Sequence, residues 1–274
     1  MVTNIARVEG RLLVVSSTIG APTYDFDFDL HFRCDHPFRF QTGETCVLRI
    51  GPVPDYAAQT RETAEWGLSL VNSAEDHHRA SDIEGWYPLI ADLTPVTRIY
   101  DDLPSIPEIE AHFRWPVFVK GARQTSKHNP SLAVARTPDE YVVLCEGYRR
   151  DPILHWQRPV IRQFEPLEPI KGVVPGKLTP SCEFRTFWWN GRLVGSGCYW
   201  HQLPAYRARD LDQGLEIAQR AAQLVGAPFL VVDIARRIDG EWIVIECNDA
   251  QEAGYCGVPP RELWGNILET LDIG

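Results

Sequence analysis

The chain has 274 residues, of which 44% are hydrophobic and 23% charged, and its formal net charge is -10. This length fits one large domain or two small ones, and the composition is that of a folded globular protein rather than a disordered chain. The acidic balance argues against a protein that coats nucleic acid, because such proteins present a basic face. We therefore expect no nucleic-acid partner.

Neither the N-terminus nor any internal stretch indicates a membrane or an export route. No segment approaches the roughly 18–20 consecutive apolar residues of a membrane-spanning helix, and the first residues lack the pattern of a signal peptide. The seven cysteines include no C-x-x-C pair, and their odd number excludes complete internal pairing. We expect a reduced, cytoplasmic protein without a membrane partner.

The first third of the chain predicts a small mixed unit. Residues 24–30 alternate aromatic and acidic side chains, which indicates a half-buried strand. Residues 56–70 predict a helix, and Ser73 and Asp76 are spaced as the capping box of another. The proline-rich, acidic stretch 94–107 is typical of a connection between domains.

After this connection the pattern of elements becomes clearer. Ser105 and Glu108 form a second capping-box spacing at the start of a helix. Residues 116–120 and 159–164 are predicted strands, and residues 210–225 form an amphipathic helix that ends at a glycine. Lysine is scarce, since only four lysines accompany 23 arginines, and all four lie in this middle part of the chain.

Two predicted hairpins follow, over residues 182–200 and 228–247. The turn of the first is Asn190-Gly191 and that of the second is Asp239-Gly240. These dipeptides are the strongest two-residue hairpin signals, because both central residues of the turn adopt positive φ. A two-residue turn also determines which residues of the two strands face each other.

The register of the second hairpin places Asp233 opposite Glu246, on a face that Asn248 shares two residues further on. Two facing carboxylates repel each other unless a positive group compensates them. Two carboxylates and a carboxamide are suitable ligands for Mg²⁺. The alternative is a solvated sheet face on which the carboxylates pair with Arg236 or Arg237.

The same argument for the first hairpin places Arg185 opposite Ser196 and Glu183 opposite Cys198. An arginine that projects from a sheet beside a metal site can hold a phosphate or an oxyanion. The alternative is an exposed strand with a local pair between Glu183 and Arg185.

Taken in order, these segments resemble an ATP-grasp domain. The resemblance depends on the strand that ends in Lys120-Gly121, the strand 159–165, Glu183-Phe184-Arg185, and Asp233 followed by Glu246-Cys247-Asn248. It extends from residue 94 to the C-terminus and is strongest to the compact ATP-grasp proteins of bacteria and phages. The chain departs from the family at Arg162, near a position where many members carry an acidic residue that reads the adenine amine.

The resemblance implies an α+β fold in which two subdomains hold ATP between antiparallel sheets, preceded by a small α/β domain. The implied boundaries are 1–94 for the N-terminal domain and 95–274 for the ATP-grasp domain. Within the latter, 95–165 is the first subdomain and 166–274 is the second, which contains the metal site.

The resemblance also implies which residues bind the nucleotide. They are Lys120 toward the α-phosphate and adenine, Lys127 toward the β- and γ-phosphates, Gln163 and Phe164 through backbone groups toward the adenine edge, Glu165 or Glu168 on the ribose, and Glu183 on the acidic-x-Arg strand. Arg185 and Lys127 are the implied catalytic residues, with Arg185 stabilising the transferring phosphoryl group. Asp233, Glu246 and Asn248 are the implied Mg²⁺ ligands.

The implied activity is that of an ATP- and Mg²⁺-dependent ligase. It converts a carboxylate into an acyl phosphate, joins it to an amine, and releases ADP and phosphate. The substrates are then a small-molecule or peptide carboxylate and amine, and related ligases are often homodimers. A small-molecule kinase on the same nucleotide site and a non-catalytic ATP-binding sensor or partner protein remain alternatives.

The residues around the metal motif complete the set of candidates. Cys247 points to the opposite face by strand alternation and is expected in the core. Asp249 and Gln251 follow the motif directly, and they are either substrate contacts or residues of a surface loop. His77 and His78 are adjacent on a helix and therefore face different directions, which disfavours a shared metal.

Overall fold

We analysed a computed structural model of the chain, which describes residues 3–17, 26–49, 51, 55–123, 130–152 and 154–271. Its helices and strands are organised around three sheets, one of five strands and two of four. The α+β class predicted from the sequence is confirmed. None of the helices in these ranges is both long and apolar enough to cross a membrane.

The first sheet lies at the N-terminus and is mixed. Its strands, in the spatial order β3-β1-β2-β4-β5, are β1 (Thr3–Val8), β2 (Leu12–Ser17), β3 (Cys34–Asp35), β4 (Glu44–Arg49) and β5 (Leu68–Leu70). Strands β1, β2 and β3 pair antiparallel, whereas β4 is parallel to both β2 and β5. A helix connects β4 to β5, as a parallel pair requires a crossover.

Two predictions for this region are wrong. Helix α1 (Phe28–His31) lies within the predicted strand 24–30, because the Asp27 side chain accepts a hydrogen bond from Leu30 N and caps a helical turn. Residues 24 and 25 lie outside the described ranges. Helix α2 (Tyr56–Glu65) ends before residue 70, since Gly67 adopts a φ of 80° that breaks the helix and leads into β5.

Two short helices lead from this sheet toward the rest of the molecule. Helix α3 (Ala74–Ser81) begins with the predicted capping box, in which the Ser73 and Asp76 side chains each bond the other's backbone N–H. Helix α4 (Ile83–Trp86) follows, and its Trp86 is buried in the core beneath the third sheet. The capping box between Ser73 and Asp76 is thus confirmed.

The second sheet is antiparallel and has the spatial order β6-β9-β7-β8. Its strands and its two helices are β6 (Thr97–Ile99), α5 (Ile106–Glu110), β7 (Val117–Gly121), β8 (Val134–Ala135), α6 (Pro138–Arg150) and β9 (Pro159–Gln163). Val117, Val119 and Ile161 project from its outer face into a core with α5 and α6. By strand alternation, the inner face carries Lys120 and Arg162.

The third sheet is also antiparallel, with the order β11-β10-β12-β13. Its strands and the two C-terminal helices are β10 (Glu183–Trp189), β11 (Arg192–Cys198), α7 (Leu211–Val225), β12 (Phe229–Arg236), β13 (Trp242–Asp249) and α8 (Pro260–Thr270). Helix α7 covers one face, where Cys247 is completely buried, as predicted. The other face packs against α8 at one end and is part of a cleft at the other.

The predicted pairing of Asp233 with Glu246 is confirmed, but the turn differs from the prediction. Arg237 pairs with Glu241 through backbone hydrogen bonds, which leaves a three-residue loop at residues 238–240. A bulge at Ile245 then inserts one extra residue into β13. The two deviations cancel, so that Asp233 faces Glu246.

In the first hairpin the predicted register is wrong by one residue. Asn190 and Gly191 both adopt positive φ, as predicted for a two-residue turn. A bulge at Val194 then shifts the pairing, so that Arg185 faces Gly197 rather than Ser196. Glu183, in turn, accepts a backbone hydrogen bond from Tyr199 N and does not face Cys198.

Buried polar side chains attach the N-terminal sheet to the third sheet. The Asn72 amide bonds both backbone groups of Phe229, donating over 2.7 Å to its carbonyl and accepting over 2.9 Å from its N–H. The Arg49 guanidinium donates to the carbonyls of Ala250, Gln251 and Ala253. These bonds position the turn that follows β13.

Candidate active site

A cavity of about 630 Å³ opens between the second and third sheets. Phe118 and Arg162 line it from the second sheet, and Glu183, Ile243 and Ile245 line it from the third. Most of its wall is apolar, with a few polar groups that converge on it. Such a site between two layers is typical of a binding site for a small molecule.

The hinge segment after β9 forms one wall of this cavity. Gln163, Phe164 and Glu165 all line it, as expected for residues that contact the base and ribose of a nucleotide. The Gln163 side chain is engaged with the backbone of Arg114, accepting from its N–H and donating to its carbonyl over 3.1 Å each. Its side chain therefore stiffens the hinge, and the backbone role proposed for Gln163 and Phe164 remains a prediction.

The two candidate ribose residues differ in their positions. Glu165 lines the cavity and pairs with Arg237 over 3.3 Å. Glu168 pairs with Arg236 over 2.5 Å and is not among the residues of the cavity wall. Of the two, Glu165 is better placed to reach a ligand in the cavity.

Lys120 and Glu246 form an ion pair across the cleft. Lys120 lies on β7 of the second sheet and Glu246 on β13 of the third. The lysine is only 3% exposed, so this pair is shielded from solvent. It supplies one of the two positive charges that the facing carboxylates require.

Arg185 supplies the other positive charge. It lies opposite Asp233 on neighbouring strands and donates to both carboxylate oxygens, over 2.8 and 2.7 Å. Burial alone would lower the pKa of the Arg185 guanidinium, but the Asp233 carboxylate raises that pKa well above its ordinary value. A third bond, 2.8 Å to the Gly254 carbonyl, fixes the guanidinium against the turn after β13.

The oxygen donors on this face fit a divalent cation in chemical type. Glu246 and Asn248 lie two residues apart on β13, and Asn248 is half-buried opposite Val231. Asp233 gives both oxygens to Arg185, so it can ligate a metal only by releasing one of them. Across the described ranges no three His, Cys, Asp or Glu side chains form a metal cluster, so the candidate set depends on the Asn248 amide.

Glu183 is held inside the cavity wall. Its carboxylate accepts hydrogen bonds from the Ser181 hydroxyl and from Trp200 Nε1, the latter over 2.9 Å. It is buried, two residues from Arg185 on the same face of β10. The arrangement leaves Glu183 beside the cavity, where a ligand can contact it, as predicted for the nucleotide set.

Lys127 lies outside the described residues, as does His128. The loop 124–129 that contains them follows the cleft-facing strand β7 in the chain. Its role in phosphate binding therefore remains a prediction.

Arg162 has a structural role that the sequence did not reveal. Its Nε donates to Thr97 Oγ1 over 3.0 Å, and its Nη1 donates to the Ile245 carbonyl at the β13 bulge over 2.6 Å. Burial lowers its pKa to about 10. Only its place on the inward-facing positions of β9 could have indicated that it joins the two sheets.

Asp249 and Gln251 are completely buried, so the interpretation as a surface loop is wrong for both. Asp249 accepts from His77 Nδ1 over 3.1 Å and from Gln251 N over 2.9 Å. The Gln251 side chain accepts from Leu48 N over 2.8 Å. These residues bind the N-terminal sheet to the turn after β13.

The fold and the cleft together define an ATP-grasp domain. A family model described as an ATP-grasp domain, the third family of its clade, matches residues 75–267. Since the match covers well over half of the chain, the protein belongs to this family.

Solved structures with the same fold include three ligases or ligase-like proteins. The VanG D-Ala:D-Ser ligase from Enterococcus faecalis is 15% identical with a TM-score of 0.59, over 84% of this chain and 72% of that one. The D-alanine–D-alanine ligase from Bacillus anthracis complexed with ATP is 14% identical with a TM-score of 0.56, over 84% and 78%.

The RimK domain protein ATP-grasp from Sphaerobacter thermophilus is 17% identical with a TM-score of 0.55, over 83% of this chain and 78% of that one. At such identities these likenesses establish the fold alone. No curated protein sequence matches the chain.

Proposed function

We propose that the protein is an ATP- and Mg²⁺-dependent ligase, which activates a carboxylate as an acyl phosphate and joins it to an amine with release of ADP and phosphate. The observation that supports this most directly is the cleft itself. It sets Lys120 and Arg185 against the facing carboxylates Asp233 and Glu246, beside an apolar cavity.

The cavity suits the base and ribose of ATP. Its apolar wall provides the contact area that a planar base requires, and the hinge residues 163–165 supply backbone groups at its edge. Glu165 and Glu183 are the carboxylates close to where ribose hydroxyls would lie.

The cations suit the phosphates. In phosphoryl transfer a protein mainly positions the reactants and neutralises charge, with little covalent chemistry of its own. Lys120 and Arg185 are already held in place by buried carboxylates. ATP binding would exchange part of these contacts for contacts with phosphate oxygens, at little reorganisation cost.

Glu246 and Asn248, with one oxygen of Asp233, would hold the metal. Mg²⁺ bound there would neutralise charge on the β- and γ-phosphates. Arg185, released from that oxygen of Asp233, would turn toward the transferring phosphoryl group and then toward the oxyanion formed when the amine attacks.

The substrates we propose are a small-molecule or peptide carboxylate and an amine. A carboxylate reacts poorly with amines, whereas its acyl phosphate is a good electrophile, which explains the use of ATP. We also propose that residues 1–94 form a separate N-terminal domain before the ATP-grasp domain at 95–274.

The test uses hydroxylamine as a surrogate amine, because it converts acyl phosphates into stable hydroxamates. The full-length protein is incubated with Mg-ATP, hydroxylamine and pooled carboxylates, and ADP, phosphate and hydroxamate are measured. The variant is Glu246→Gln, with Glu241→Gln as a matched control, since Glu241 is exposed on the same hairpin. Asn248→Ala is a second site variant that leaves no buried charge unpaired.

We expect carboxylate-dependent hydroxamate from the wild type and from Glu241→Gln, and at least ~10²-fold less from Glu246→Gln. A stable phosphorylated acid without hydroxamate would instead identify a kinase. ATP binding without turnover on any pool would favour a non-catalytic binder, and an absence of ATP binding would contradict the nucleotide site.

A further inference from the structure

The distribution of lysine is uneven in both sequence and space. The chain has 23 arginines but only four lysines, and these lie between residues 120 and 177. Lys120 is in the cleft and Lys177 lines the cavity. Lys171 lies on the same loop as Lys177 but is not part of the cavity wall.

The loop that contains Lys177 is closed and anchored. Its ends are joined by a bond from Ile170 N to the Pro180 carbonyl over 3.2 Å. Gly172, at a φ of 123°, packs so closely on Leu203 that a Cβ there would lie 2.7 Å from the leucine. The loop is thus held against the segment 199–202, which also lines the cavity.

A tight turn within the loop presents Lys177. Its N–H donates to the Val174 carbonyl over 3.1 Å, and Gly176 adopts a φ of 70° that the turn requires. The side chain is exposed at the edge of the cavity. Within the described part of the chain, the structure gives its ammonium group no hydrogen-bond or ion-pair partner.

The neighbouring charges of the cavity are already compensated. Glu165 pairs with Arg237 over 3.3 Å, and Arg136 pairs with Glu140 over 3.6 Å. An uncompensated ammonium at the edge of an otherwise apolar cavity creates a positive potential there. That potential favours a ligand whose apolar part enters the cavity and whose anionic part remains near its mouth.

We propose that Lys177 is an additional phosphate-binding residue, which contacts the phosphate chain of the nucleotide from the loop 171–180. This inference rests on the proposed function, because it takes the cavity ligand to be ATP. It assigns the loop a role in affinity for the phosphates and none in recognition of the base.

The scarcity of lysine makes a direct test feasible. The folded protein is acetylated at lysine under limiting conditions with no ligand, with Mg-ATP, or with adenosine at matched occupancy. Digestion after arginine yields one peptide, 163–185, that carries both Lys171 and Lys177. Fragment ions then compare the two lysines within the same spectrum, with Lys171 as the internal control.

We expect Mg-ATP to protect Lys177 and leave Lys171 unchanged, and adenosine to protect neither. Lys177→Met should raise the Kd for Mg-ATP about tenfold and leave the Kd for adenosine unchanged, whereas Lys171→Met should match the wild type. Calorimetry of the wild type with ATP separates the two proposals. If ATP binds without protecting Lys177, or if adenosine protects it equally, this inference is wrong while the nucleotide site stands. If ATP does not bind, both are wrong.

Discussion

The Arg185 guanidinium and the Asp233 carboxylate lie opposite each other on adjacent strands and share two hydrogen bonds, of 2.8 and 2.7 Å. Asp233 in turn faces Glu246, which pairs with Lys120 from the other sheet. Four charges therefore lie together in the floor of the cleft, two of each sign. This arrangement keeps two buried carboxylates ionised in the absence of any metal.

The first prediction concerns this pair. Arg185→Met leaves the Asp233 carboxylate buried, at 1% exposure, without its partner. The free energy of unfolding should fall by about 3–5 kcal/mol, as measured by urea denaturation. The double variant Arg185→Met/Asp233→Leu should recover most of the loss, because it removes the unpaired charge as well. A double variant no more stable than the single one would contradict this account.

The second prediction concerns the residue that the β11 bulge places opposite Arg185. A Cβ on Gly197 would lie 2.3 Å from the Gly257 backbone carbon, and a backbone cannot move aside as a side chain can. Gly197→Ala should therefore lower the free energy of unfolding by about 1–3 kcal/mol. The control is Gly265→Ala in α8, where no atom lies within 4 Å of the new Cβ. It should be neutral or stabilise by about 0.5–1 kcal/mol, and equal effects of the two changes would disprove the close approach.

The third prediction concerns pH. Burial alone would lower the pKa of His77, but its hydrogen bond to Asp249 and the nearby charges of Glu252 and Asp82 raise it above the ordinary value. Protonated His77 therefore contributes stability that is fully present below the unfolded pKa of about 6.5. This contribution is lost as the pH rises through the higher pKa of the folded state.

The measurement is the difference in unfolding free energy between the wild type and His77→Asn, from urea denaturation at pH values below and above this range. The difference should be larger at the lower pH. His112→Asn serves as the control, because His112 is exposed, and its difference should not change with pH. A pH-independent difference for His77→Asn would show that the imidazole is not charged in the folded protein.

Local signals in the sequence were sufficient for several features. The capping boxes at Ser73 and Ser105 formed as their spacing indicated, since a cap involves only residues three positions apart. The Asn190-Gly191 turn formed for the same reason, because its positive φ angles are a property of those two residues.

Register was decided by tertiary packing. The bulge at Val194 shifted Arg185 from Ser196 to Gly197, whose missing side chain lets the Gly257 backbone approach. The bulge at Ile245 corrected a three-residue loop, and its carbonyl accepts the Arg162 guanidinium from the other sheet. Both bulges lie where another part of the chain packs on the hairpin, and no dipeptide turn signal reports such contacts.

The sequence alone determined the chemical groups of the site and their order, because strand alternation and hairpin turns are short-range properties that neighbouring residues impose. It placed Asp233, Glu246 and Arg185 on their strands and identified the need for compensating cations. Only the tertiary structure decided which cation meets which carboxylate. Lys120 and Glu246 are 126 residues apart, and His77 and Asp249 are 172 apart. Such pairs exist because separate sheets and helices pack against each other and exclude water, which makes an unpartnered buried charge too costly to remain.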